Sequence, residues 1–304
     1  SRLRSSICRP CNYGAMVYKS SQPRRNRLIE LVTVTNNANR AWRLLQTAPL
    51  PVRVLGPLEN ETARFPDILR DGHLLLHVRD LIRRGLNDTI VVLLDAWDIA
   101  WLGCKRDIYN SFLNLDRPLF FSAELGFYPF GKSGFAKLSR GYPIFGRSDS
   151  LPPRSEIGWD NCTFCVPATL GGGYRFANNG CWGGYAWALE RALSSMYASG
   201  RWRHFAADHK LIQGLSWKPL ADLTQGAWHA YILAHPEHVA LDYTADICLN
   251  MHGMQARESL QVYQRADGTA GVFAKAFAKD VCFAHANGGT ESTVLDELLS
   301  SSVA

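Results

Sequence analysis

Five consecutive large apolar residues, Ile90 to Leu94, run straight into two carboxylates, Asp95 and Asp98. An uninterrupted β-branched and aliphatic run of this length suits a strand covered on both faces, the kind found inside a parallel sheet. Carboxylates at the end of such a strand are costly unless something positive meets them. Two readings stand side by side. In one, Asp95 and Asp98 receive a divalent cation that carries a phosphate-linked substrate. In the other, Asp95 caps the next element and Asp98 is solvated.

The segments before this strand set its context. Leu28–Val34 reads as a first buried strand, 36–46 as a helix, and Val52–Leu55 as a short second strand. Residues 66–84 read as an amphipathic helix, with Ile68, Leu69, Leu74, Leu75, Val78, Leu81 and Ile82 on its apolar side and a break or entry near Gly72. Strand, helix, strand, helix, strand predicts a mostly parallel α/β sheet. Ligands of such sheets bind beyond the carboxyl ends of the strands, where Asp95 and Asp98 lie.

Residues 118–124 predict a further strand ending in Glu124. A Gly-, Pro- and aromatic-rich insertion near 126–175 follows and is expected to rim the site. Tyr174–Gly184 reads as a tight Gly/Asn segment whose backbone can approach a ligand closely. Asn178 within it either serves that ligand or occupies a left-handed turn position. Residues 185–197 predict a helix, and a further element of unassigned type spans 239–248. Asp267-Gly268 predicts the turn of a hairpin between 259–263 and 270–273. Residues 281–289 predict a short strand ending in His285 and a Gly-rich turn, and 291–299 a final helix. Residues 1–27 are polar, basic and aperiodic, and are expected to form an arm or tail on a single domain spanning 28–304.

Composition narrows the partners. With 304 residues, 47% hydrophobic and 20% charged, the chain can bury a large core. Its net charge of +6 is scattered, which favours an anionic small ligand over a nucleic-acid groove. No apolar run approaches the ~18 residues of a membrane span. Eight cysteines include two CxxC pairs, Cys8/Cys11 and Cys162/Cys165, which allow either a zinc site or disulfides. Three glycosylation sequons begin at Asn60, Asn87 and Asn161. Together with the even cysteine count they lean toward the secretory lumen or secretion.

Five strings in order carry a family resemblance: DAWD at 95–98, SAELGFYP at 122–129, ANNGCWGG at 177–184, LDYTADICLNMHG at 241–253 and AHANGG at 284–289. Over about 28–299 the chain resembles the glycosyltransferase domain of the multifunctional procollagen lysyl hydroxylases and their stand-alone relatives. The resemblance implies a GT-A (Rossmann-like) fold and a Mn²⁺-dependent transfer of a hexose from a UDP-sugar, UDP-glucose or UDP-galactose, to a hydroxyl of a protein or glycan. It implies that Asp95, Asp98 and His285 hold the metal, a hard-oxygen and imidazole set that suits Mn²⁺. Val34, Thr35 and Asn36 would meet the nucleoside, with Ala96 and Trp97 beside the uracil. Asn178 and Gly288 would line the donor, and Asp208 and Glu124 would supply catalytic carboxylates. The chain differs from the family in three places. Of an aspartate run only Asp208 remains, Tyr128 replaces a tryptophan, and Glu291 stands where a phosphate-facing lysine is found. A hydroxylase domain is not present in this sequence.

Other readings stay open beside this one. His285 can be a satisfied structural histidine, Trp97 a core residue, Glu124 an ordinary strand-end carboxylate, and Asp208 a solvated helix start. If Asp208 is not catalytic, Asp242 and Asp246 become candidates with Glu124. The acceptor can be a modified base or small molecule. The chain can also be an inactive sugar-nucleotide-binding or scaffolding domain.

Overall fold

A computed structural model describes residues 28–35, 41–56, 67–128, 176–197, 224–254, 256–287 and 292–303. Its centre is a six-stranded sheet in the order β2-β1-β3-β6-β5-β7. These strands are β1 (Ile29–Val34), β2 (Val52–Leu55), β3 (Ile90–Leu94), β5 (Leu119–Glu124), β6 (Phe176–Tyr185) and β7 (Val239–Asp242). β1 runs parallel to β2 and β3, and β5 parallel to β7, while β6 lies antiparallel between β3 and β5. The fold is thus mixed α/β with a mostly parallel, Rossmann-like sheet. Chain order reverses at β1, which has β2 on one side and β3 on the other, and ligands of such sheets bind beyond the carboxyl ends at a reversal of this kind.

Alternation along the strands divides the core in two. Val32, Val91, Leu93, Phe121 and Trp182 face one side, where α2 (Asp67–Arg83), α4 (Ala186–Tyr197) and α5 (Gln225–Ala234) lie. The last helix, α7 (Ser292–Val303), packs on the strands of 260–274. Leu31, Ile90, Val92, Leu94 and Phe120 face the other, against α1 (Trp42–Thr47) and α3 (Ile108–Asn114). All five residues of β3 are buried, which is what its unbroken apolar run demands. Asp107 caps α3, its carboxylate accepting from the Tyr109 backbone N–H at 2.9 Å.

Two smaller sheets complete the described chain. One joins β4 (Ile99–Trp101), β12 (Phe283–His285) and β8 (Cys248–Asn250) in the order β4-β12-β8. The other is the three-stranded β9 (Leu260–Gln264), β10 (Ala270–Ala274) and β11 (Lys279–Asp280), preceded by the single turn α6 (Ala256–Ser259). The hairpin expected around Asp267-Gly268 is β9–β10, with Gln264 opposite Ala270. A disulfide joins Cys104, just after β4, to Cys282, just before β12.

Three sequence readings are corrected or completed. The described part of the Gly/Asn segment is not a tight turn: Phe176–Tyr185 is a ten-residue strand, buried throughout except at Tyr185. Residues 239–248 form two strands in different sheets, separated by a turn at Ala245, whose φ is +51°. The acidic turn after β3 returns at once into β4, which the sequence reading did not separate. The basic arm, most of the 126–175 insertion, both CxxC pairs, the sequons at Asn60 and Asn161, Asn36, Asp208, Gly288 and Glu291 lie outside the described residues. No helix among the described residues is long and apolar enough to cross a membrane.

Candidate metal centre

Asp95 and Asp98 sit in the short turn between β3 and β4, and His285 ends β12. The antiparallel register sets His285 opposite Ile99, so the imidazole lands beside Asp98 across 187 residues of chain. The Ala286 N–H donates to the Asp98 carbonyl at 2.7 Å and locks that approach. His285 Nε2 lies 3.2 Å from Asp98 Oδ1 and 3.6 Å from Asp95 Oδ2. The ligating atoms of all three residues fall within 4.8 Å of one another, so they form a group that can hold a metal ion.

The surroundings fit that role. Asn250 Nδ2 donates to the Ala123 carbonyl at 2.8 Å, which turns its Oδ1 toward His285 Nδ1, also at 2.8 Å. His285 Nδ1 must then carry a proton, and Nε2 is the nitrogen that faces the two carboxylates, the orientation that metal-binding histidines use. Arg70, in the first turn of α2, donates to Asp95 Oδ1 at 2.8 Å and leaves Oδ2 on the His285 side. Arg70 is itself held by Asp71, which accepts from Trp228 Nε1 at 3.2 Å. Burial raises the Asp95 carboxyl, but the Arg70 charge and His285 outweigh it and bring it to about 2. Burial likewise disfavours His285 as a cation, yet the carboxylates of Asp98 and Asp95 hold its pKa well above the usual histidine range. A proton on Nε2 and a metal ion there are alternatives for the same two negative charges.

Space around the imidazole is made by β6. Between Phe121 and Ser122 the β5–β6 register jumps, so Trp182 opposes Phe121 but Asn178 opposes Ser122. The three extra residues, 179–181, bulge toward β3, where the Asp95 N–H donates to the Gly180 carbonyl at 2.7 Å. Bulges of this kind re-aim a strand beside a site. Gly180 lies against the His285 ring, and a Cβ there would stand 2.0 Å from Cε1.

Glu124 is buried behind the cluster and not at an open strand end. It accepts from Gln225 and, at 2.8 Å, from Asn287 Nδ2, with Asn178 also donating. Burial raises its pKa to about 7, against the lowering effect of these amides and of His285. A carboxyl that titrates near neutrality can exchange protons at physiological pH. Asn178 Oδ1 accepts from the Gly180 N–H at 2.7 Å, and Asn178 is not left-handed. Val34 and Thr35 are buried where β1 ends, with the Thr35 N–H bonded to the Leu55 carbonyl at 3.0 Å. Ala96 is buried, whereas Trp97 is 42% exposed, which removes the core reading of that tryptophan. The Trp97 carbonyl accepts from Arg43, which also grips Asp296 of α7 at 2.6 Å.

Asp242 and Asp246 are occupied elsewhere. Three backbone N–H groups, of Asp246, Ile247 and Cys248, donate to the Asp242 carboxylate and build the turn into β8. Asp246 binds Thr244 and, at 2.6 Å, Lys279. The sequence reading missed Arg70, Gly180, Gln225, Asn250 and Asn287 as parts of the site. Asn250 and Asn287 stand inside two of the strings that carry the family resemblance, a signal that could have found them, whereas nothing in the helical pattern of α2 singles out Arg70. No protein-family model matches the chain, and no curated protein matches it in sequence.

Proposed function

We propose that the chain is a metal-dependent glycosyltransferase of the GT-A type, moving a hexose from a UDP-sugar to a hydroxyl of a protein or glycan. The observation that carries this reading is the convergence of Asp95, Asp98 and the Nε2 of His285 beyond the carboxyl end of β3. Two carboxylates and one imidazole leave positions for phosphate oxygens on a cation such as Mn²⁺. That cation, when bound, supplies Lewis-acid stabilisation of the negative charge on the departing diphosphate.

The chain's own residues take the remaining roles. Arg70 fixes Asp95 through one oxygen, and Asn250 fixes the His285 tautomer. Trp97, half in solvent at the rim, offers an aromatic face to the uracil, next to Ala96 and the end of β1 at Val34 and Thr35. Asn178 and Glu124 line the interior side toward the sugar. Glu124, raised toward neutrality, is suited to hold or release a proton at its carboxyl oxygens, and Asp208 is assigned to the reaction centre by the family resemblance alone. The Cys104–Cys282 disulfide and the exposed sequon residue Asn87 favour folding in the secretory lumen.

Calorimetry of UDP with and without Mn²⁺, on the wild type and on Asp98→Ala, tests the reading. Binding should require the metal and vanish in the variant. Equal UDP affinity in chelator would overturn it. Metal-dependent hydrolysis of a UDP-sugar then distinguishes a transferase from an inactive binding domain, and an acceptor array distinguishes protein or glycan from a small molecule or modified base.

A further inference from the structure

The opposite pole of the sheet carries a second set of metal-ligating groups. Helix α5 ends at Ala234, and the chain passes through a single 3₁₀ turn, Pro236–His238, into β7. β7 begins at Val239, opposite Leu119 at the start of β5, so this turn lies at the amino ends of the parallel strands. The cluster of Asp95, Asp98 and His285 lies at their carboxyl ends.

In a 3₁₀ turn, side chains three residues apart eclipse. His235 and His238 are so related, and their rings stack with centroids 5.5 Å apart and planes 13° from parallel. Glu237, between them in sequence, reaches back to within 3.5 Å of His238 Nε2. One ligand atom from each of His235, Glu237 and His238 lies within 4.8 Å of the other two. The backbone holds this arrangement without help. The His235 N–H donates to the Tyr231 carbonyl at 2.9 Å, the His238 N–H donates to the His235 carbonyl at 3.0 Å, and Pro236 fixes the first dihedral of the turn. The Tyr231 ring supports His235 from inside, with centroids 4.7 Å apart.

We infer that His235, Glu237 and His238 form a second divalent-cation site, for a d-block ion such as Zn²⁺, separate from the Asp95, Asp98 and His285 centre. Two imidazoles and one carboxylate are a softer donor set than two carboxylates and one imidazole. The softer set selects Zn²⁺, Co²⁺ or Ni²⁺ over Mg²⁺ or Mn²⁺. A shallow depression lined by Trp187, Arg191, Tyr231 and His238 opens beside the turn. A bound ion would tie the end of α5 to the start of β7, which makes the site a clamp on the fold and not part of the transfer chemistry.

Equilibrium dialysis of tag-free protein against micromolar Zn²⁺, with the bound metal counted by atomic spectroscopy, tests this. His235→Ala/His238→Ala should bind one Zn²⁺ fewer per chain than wild type. Asp98→Ala, which damages the other centre, should keep that ion. Glu237→Gln alters an exposed carboxylate, so it should weaken Zn²⁺ binding at an unchanged metal-free melting temperature, which covers the case of a double variant that fails to fold. Replacing Zn²⁺ by Co²⁺ should give visible absorption bands that survive Asp98→Ala and disappear in the double histidine variant. An unchanged Zn²⁺ count in the double variant, or occupancy only at millimolar Zn²⁺, would overturn the inference.

Discussion

Gly180→Ala isolates the geometry of the candidate metal centre from its ligands. The added Cβ would stand 2.0 Å from His285 Cε1, 2.6 Å from Nε2 and 2.7 Å from Nδ1, where ordinary contact begins at 3.4 Å. Something must therefore move by about 1.4 Å or more, the shortfall at Cε1. The glycine backbone is pinned, since its carbonyl accepts from the Asp95 N–H and its N–H donates to Asn178. The ring has no room either, because His285 is 2% exposed and bonded to Asn250. The strain should cost about 1–3 kcal/mol of stability, the usual range for overpacking. Displacing the imidazole should weaken Mn²⁺ binding by about 10–100-fold, as losing an orienting contact does at metal sites. Gly72→Ala is the control, since its Cβ meets nothing within 4 Å inside α2, and it should gain about 0.5–1 kcal/mol with metal affinity unchanged. Thermal melts and Mn²⁺ titrations on the three proteins read both effects. A Gly180→Ala protein that binds Mn²⁺ like wild type would refute the packing of His285 on β6.

Trp97→Ala should weaken Mn²⁺-UDP binding by about 1–3 kcal/mol in calorimetry, the loss of one stacking platform, with an unchanged melting temperature because the ring is 42% exposed. His229 is buried, and burial lowers its pKa from 6.5 to about 3, although its Nε2–H is bonded to the Tyr128 carbonyl. The unfolded chain therefore binds this proton first as pH falls: stability should be full above pH 6.5 and drain by up to ~4 kcal/mol toward pH 3, and urea melts of His229→Gln should show a shallower slope over that window. Reducing the Cys104–Cys282 disulfide should cost about 2–4 kcal/mol and lower Mn²⁺ affinity as well, measured by melts and titrations with and without a phosphine reductant.

What the sequence made legible was what periodicity governs. β1, β2, β3 and α2 follow from apolar runs and helical spacing, and the mostly parallel sheet follows from their alternation. β6 was illegible for a physical reason. Asparagine and glycine are poor strand formers in isolation, yet β6 is paired on both edges by β3 and β5, and tertiary burial overrides propensity. Its glycines answer to space as well: a Cβ on Gly183 would lie 2.1 Å from the Val91 carbonyl oxygen. The division of 239–248 was hidden because Asp242 turns the chain with its side chain, through three backbone N–H bonds, and not with a glycine or proline.

The site was legible in a different way. Asp95 and Asp98 stand out as carboxylates ending a buried strand, but nothing in spacing links them to His285, and only the family resemblance did. The structure supplies the physical link, which is the antiparallel β4–β12 ladder. At one end of that ladder, His285 opposes Ile99 and the Ala286 N–H grips the Asp98 carbonyl. At the other end, Phe283 opposes Trp101, the Leu102 N–H donates to the Cys282 carbonyl at 2.7 Å, and the disulfide closes the pair. A covalent bond and a three-residue ladder thus fix the separation of two candidate ligands that lie 187 positions apart. The third, Asp95, is placed from the other side, by Arg70 of α2 and by the β6 bulge. Each ligand is held by a different element, so the centre forms only when the large sheet, the small sheet and α2 are all assembled. That dependence is why no local pattern in the sequence could disclose it.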